Sequence, residues 1–158
     1  MIPEAPFFFS IAALSASLAG LAGLVAGLRR GADIPGDDLF RLREIVEFSF
    51  ANVLIAISTI PLAVAIASLS DAVRVAAVVA LVYLGGVFAF LGRRQRRLAI
   101  QIPRVWVSLV IVINMSAIVA AFTTIATGSV APYEALLIIL LARPMLAFLF
   151  VLQSFEAR

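Results

Sequence analysis

The sequence predicts an all-α integral membrane protein, a bundle of five transmembrane helices with the N-terminus outside and the C-terminus in the cytoplasm. Three observations carry that prediction: the composition, the spacing of the apolar runs and the placement of the arginines. Of the 158 residues, 64% are hydrophobic and 13% charged, and the mean hydropathy is +1.16. A soluble domain of this length would leave much of that apolar surface in water, a problem that lipid removes. Spans and loops use up nearly the whole chain, so residues 1–158 read as a single transmembrane domain.

Five apolar runs cover residues 7–28, 45–67, 73–91, 105–126 and 135–152. Each has about the 18 to 23 residues that an α-helix needs to cross ~30 Å of hydrocarbon. Strands of a membrane barrel would be shorter and would alternate in polarity. The first run lacks a positive leading segment and ends in Arg29-Arg30, unlike a cleaved signal peptide.

The connections punctuate these runs. Asp33-Ile-Pro-Gly-Asp37-Asp38 reads as a turn and a helix cap, which starts the second helix near Leu39, ahead of the membrane. Ser70-Asp71 is expected to cap the third helix after a tight turn, Pro103 to start the fourth, and Gly128-Ser-Val-Ala-Pro132 to separate the fourth from the fifth. Phe7, Phe8, Phe9 and Tyr133 are expected at the outer interface and Trp106 at the inner one, as an aromatic belt.

Orientation follows from the arginines. The first loop carries Arg29, Arg30, Arg41 and Arg43, and the third carries Arg93, Arg94, Arg96, Arg97 and Arg104. Against these, the second loop has Arg74 and the fourth has none, so the positive-inside rule places the first and third loops in the cytoplasm. Arg93, Arg94, Arg96 and Arg97 read as a topology signal in contact with lipid headgroups, and membrane lipids are the partner that this basic balance implies, with no nucleic acid. Arginine in place of lysine, with abundant alanine, points to a bacterial inner (plasma) membrane.

Composition also removes function classes. Without cysteine or histidine there is no thiol nucleophile, no thiolate or imidazole metal site and no imidazole relay. The apolar runs contain no aspartate, and no glycine-rich phosphate loop follows a strand. An enzyme, a metal site and a cofactor are therefore not expected.

Two features remain. On the first helix, Gly20, Gly23 and Gly27 allow close helix packing, either within the chain or in a homo-oligomer. On the fifth, Arg143 lies near the middle of the span, beyond easy reach of the headgroups, and Pro144 is expected to kink the helix beside it. A charge there must face protein or a wet cavity. Helical rise places Asn114 and Ser116 of the fourth helix, and Asn52 and Thr59 of the second, at a similar depth. Glu47 is the carboxylate expected to be able to pair with Arg143. This polar layer points to a small channel or transporter, with anions favoured and the chain acting as a homo-oligomer. The alternative is a non-transporting scaffold or accessory subunit that docks on a second membrane protein.

Overall fold

The computed structural model describes the backbone of residues 2–28, 36–98 and 104–156, and the side chains of all of these except 36–38, 90–98, 104, 106 and 154–156. The described residues form five helices, α1 (Ala5–Leu28), α2 (Gly36–Ile66), α3 (Leu69–Leu98), α4 (Arg104–Thr127) and α5 (Val130–Glu156). Each contains a stretch long and apolar enough to cross a membrane: Ala5–Leu28, Leu39–Ile66, Leu69–Ala89, Val107–Thr127 and Val130–Gln153. The protein is thus all-helical, with the five candidate spans of a multi-pass membrane protein.

The helix ends differ from the expected ones in instructive ways. α2 begins at Gly36, ahead of Leu39, and its 31 residues make a rod about 46 Å long. α3 does not stop at the end of its span; its backbone stays helical through Arg93, Arg94, Arg96 and Arg97. The side chains of these four arginines lie outside the described residues, as do Arg29, Arg30 and the side chain of Trp106. α5 starts at Val130, so Pro132 belongs to its first turn and is no separator. Proline is tolerated there because N–H groups of a first turn have no intrahelical acceptor. Pro61 and Pro144 lie inside α2 and α5, and both helices run unbroken through them.

The α2–α3 turn is built from an unusual backbone and a cap. Ala67 holds a left-handed conformation (φ 56°) as its N–H reaches back to the Val64 carbonyl. The Asp71 N–H then donates to the Ser68 hydroxyl at 3.2 Å, so the cap is Ser68 with Asp71 at the third helical position, and Ser70 lies within the first turn. At the α4–α5 turn Gly128 takes φ 65°, and its N–H donates to the Thr124 carbonyl at 2.7 Å.

The chain falls into two compact units, residues 1–57 with 140–158 and residues 58–139. In the first, α1 buries Phe8, Ile11, Ala12, Ser15, Ala19 and Ala22, a stripe that recurs every three or four residues. The glycines expected to pack are on other faces. Gly20, Gly23 and Gly27 are exposed, and a methyl group added to any of them would meet nothing within 4 Å. Close packing of α1 within the chain rests on alanine and serine instead. Phe8 is likewise buried, whereas Phe9 is exposed.

In the second unit α3 packs against α4. Ala72, Val73, Ala76, Ala77, Ala80 and Leu84 are buried on α3, and Ala117, Ala120 and Ala121 on α4. Lipid gives helices no hydrophobic reason to associate, so small side chains that let backbones approach supply the van der Waals contact. Tyr133, expected at the outer interface, is fully buried in this unit.

Candidate functional site: a buried arginine–glutamate pair

Arg143 is buried, with 5% of its surface exposed, and its charge is met by Glu44, which is 6% exposed. The Nη2 group donates to Glu44 Oε1 at 2.6 Å and Nε donates to the same oxygen at 3.1 Å. The guanidinium carbon lies 3.8 Å from the centroid of the Phe48 ring, a stacked arrangement in which the ring face attracts the cation. Glu44 Oε2 has no hydrogen-bond partner among the described residues.

Two antiparallel helix segments position these groups. Arg41, Glu44 and Phe48 are spaced i, i+3, i+7 on α2 and so share one face, as do Arg143 and Phe150 on α5. Arg41 lies over the Phe150 ring at 5.9 Å, one rung nearer the N-terminus of α2, while Glu44 and Phe48 hold Arg143. The helices are therefore keyed in register by two arginine–aromatic contacts and one ion pair.

The expected carboxylate was Glu47, and the structure puts Glu44 on Arg143. Glu47 pairs with Arg43 at 2.5 Å, an i, i+4 contact on the exposed side of α2. That spacing was visible in the sequence and assigns Glu47 to Arg43, which leaves Glu44 for a partner on another helix.

The remaining expected polar residues separate into two groups. Asn52, buried in the first unit, donates through Nδ2 to the Ser15 hydroxyl at 3.0 Å and so links α2 to α1. In the second unit Thr59 shares a hydrogen bond of 2.5 Å with the Tyr133 hydroxyl. Asn114 is buried and spends an amide N–H on the Val110 carbonyl of its own helix, at 2.6 Å. Ser116 is exposed. Pro144 is buried next to Arg143 in the sequence. Sequence reasoning missed Glu44, Phe48, Ser15 and Tyr133. Of these, Glu44 and Phe48 carried a readable signal, because they lie on the same α2 face as Asn52.

Among the described residues no group of three or more metal-ligating side chains forms. What the arrangement offers chemically is a fixed cation, a carboxylate and an aromatic face, all within span-length helices. Comparisons with protein-family models, with curated proteins and with solved structures found no match for this chain.

Proposed function

We propose that the protein moves a small anion across a bacterial plasma membrane through a site built on Arg143 and Glu44. In this reading the N-terminus is outside, the C-terminus is cytoplasmic, and the chain works as a homo-oligomer. The observation that carries it is the ion pair buried inside helices of membrane-spanning length. Apolar side chains of similar size would hold two helices together as well or better, so packing alone gives little reason for two ionisable groups there. Ionisable groups at such depth generally mark a path for ions or solutes. Anions are favoured because a guanidinium is a permanent cation whose N–H groups suit the oxygens or halide of an anion. The arginines of the first and third loops support the orientation.

Flux of chloride, nitrate and potassium into proteoliposomes, for the wild type and Arg143→Leu, tests the proposal. Anion flux in the wild type that is lost in a variant with unchanged helical circular dichroism and elution volume is the expected result. If neither protein moves an anion while both stay folded, the transport reading falls.

A second reading is favoured by one specific observation: Gly20, Gly23 and Gly27 are exposed with open space around them. A non-transporting accessory subunit would use that face of α1 to receive a helix of another membrane protein. Co-purification with one membrane protein at fixed stoichiometry supports this reading, and a homo-oligomer that carries anion flux counts against it.

A further inference from the structure

We infer that the first compact unit holds a buried water-binding site between α1 and α2, in which the hydroxyls of Ser15 and Ser49 share one water molecule beside Asn52. The site is separate from the Arg143–Glu44 pair, and the inference does not depend on the transport reading.

Hydroxyls in these helices have a common way to find a partner. Ser10, Ser17, Thr123, Thr124 and Thr127 each donate at 2.8 Å to the carbonyl four residues back in their own helix. Ser15 and Ser49 depart from it, although both are fully buried. The Ser49 hydroxyl has no hydrogen-bond partner among the described residues. The Ser15 hydroxyl accepts an N–H of Asn52 at 3.0 Å and makes no other hydrogen bond, so its proton has no acceptor among the described residues. A polar group left so in an apolar interior is costly, and an ordered water is the usual remedy.

One small molecule can serve both hydroxyls. Ser49 is three residues before Asn52, so their side chains are neighbours on α2, with about 5–6 Å between Cβ atoms. Asn52 in turn touches the Ser15 hydroxyl. A water makes O–H···O bonds of about 2.7–2.8 Å and so links oxygens roughly 5 Å apart. The buried neighbours on the same helix faces are Ala12 and Ala19, one turn on either side of Ser15, and Ala56, one turn beyond Asn52. Their side chains offer no polar atom.

The surroundings select a neutral ligand. α1 has no ionisable residue between Ala5 and Leu28, and α2 has none between Phe48 and Ile57. Glu47 pairs with Arg43 on the exposed side of α2, and Glu44 pairs with Arg143. An ion between the serines would hold an uncompensated charge in a low-dielectric interior. Ser15 offers a proton, and Ser49 offers a proton and lone pairs. Water both accepts and donates, so it completes the two groups together.

The test is a double-mutant cycle on the full chain, with Ser15→Ala, Ser49→Ala and both changes together. The readout is the midpoint of thermal unfolding in maltoside micelles, followed by tryptophan fluorescence in sodium chloride and in sodium gluconate. Each single change is expected to lower the midpoint by about 2–4 °C, because it removes one anchor of the water and strands the other hydroxyl. The double change is expected to cost no more than Ser15→Ala alone. Ser49 has no direct hydrogen bond to Ser15, so such coupling reports a shared ligand. A higher midpoint for Ser49→Ala overturns the site, because removal of an unserved buried hydroxyl is then a gain. Additive losses overturn the sharing. A loss seen in chloride and absent in gluconate overturns water in favour of an anion. Where a variant fails to fold, water-edited solid-state NMR of the asparagine-labelled wild type in phosphatidylethanolamine–phosphatidylglycerol vesicles decides. Transfer from water to the side-chain amide of Asn52, one of two asparagines in the chain, is expected, and its absence overturns the site.

Discussion

Replacing Gly128 by alanine should destabilise the protein by about 2–5 kcal/mol, and the structure shows where that energy arises. Gly128 ends α4 with φ 65°, a conformation that costs an L side chain about 1–2 kcal/mol. A Cβ there would also collide with the Ser70 hydroxyl and lie 2.8 Å from Arg74 Nε and 2.9 Å from Nη2. Both are ends of side chains and can move, but Arg74 would have to leave its 3.3 Å contact with Asp71. Such overpacking adds roughly 1–3 kcal/mol. The assay is reversible unfolding in mixed micelles, with sodium dodecyl sulfate as denaturant and helical circular dichroism as the signal. Gly23→Ala is the matched control, because it lies in a helix with open space around it and should be neutral or stabilise by roughly 0.5–1 kcal/mol. The double variant Gly128→Ala with Ser70→Ala should recover part of the steric loss and none of the backbone loss. The reasoning is refuted if Gly128→Ala unfolds within about 0.5 kcal/mol of the wild type, a margin typical of unremarkable surface changes.

Three further sets of substitutions probe the polar contacts by the same unfolding assay. Arg143→Met alone leaves Glu44 buried and unmatched and should cost about 3–5 kcal/mol, whereas Arg143→Met with Glu44→Met should recover most of it; equal losses in the two variants would contradict the pairing. Thr59→Val and Tyr133→Phe each remove one side of the 2.5 Å hydrogen bond, and a double-mutant cycle should return a coupling of about 0.6–1.7 kcal/mol. Additive effects would deny that contact. Ser68→Ala removes the hydroxyl that accepts the Asp71 N–H and should cost about 1 kcal/mol, with Ser70→Ala, one position inside the helix, nearly silent. A larger loss at Ser70 would restore it as the cap.

These substitution sites also show how far local pattern reached. The caps and turns lay within a few residues of their expected positions: Ser68 for Ser70, Gly36 for Leu39, and a fifth helix that starts at Val130 and takes in Pro132. Such shifts are decided by backbone geometry that several neighbouring serines could satisfy. Glu44 and Glu47 pose the same difficulty in another form. They are one turn apart, and depth counting alone does not separate them. The rotation of α2 against α5 does, because it turns Glu44 and Phe48 toward Arg143 and leaves Glu47 with Arg43.

By itself the sequence determined the class of this protein: span-length apolar runs in an all-helical chain, a charge in the fifth run that lipid would not tolerate alone, and the absence of thiol and imidazole chemistry. Those follow from length, hydropathy and composition, which need no knowledge of neighbours. Only the tertiary structure decided who neutralises Arg143, that Tyr133 is buried against Thr59, and that α1 packs on alanine and serine with its glycines outward. The physical reason is the same in each case. A membrane helix that is apolar all round carries little amphipathic signal, so the face it turns inward is set by side-chain fit and hydrogen-bond pairing with another helix, and both depend on residues distant in the chain.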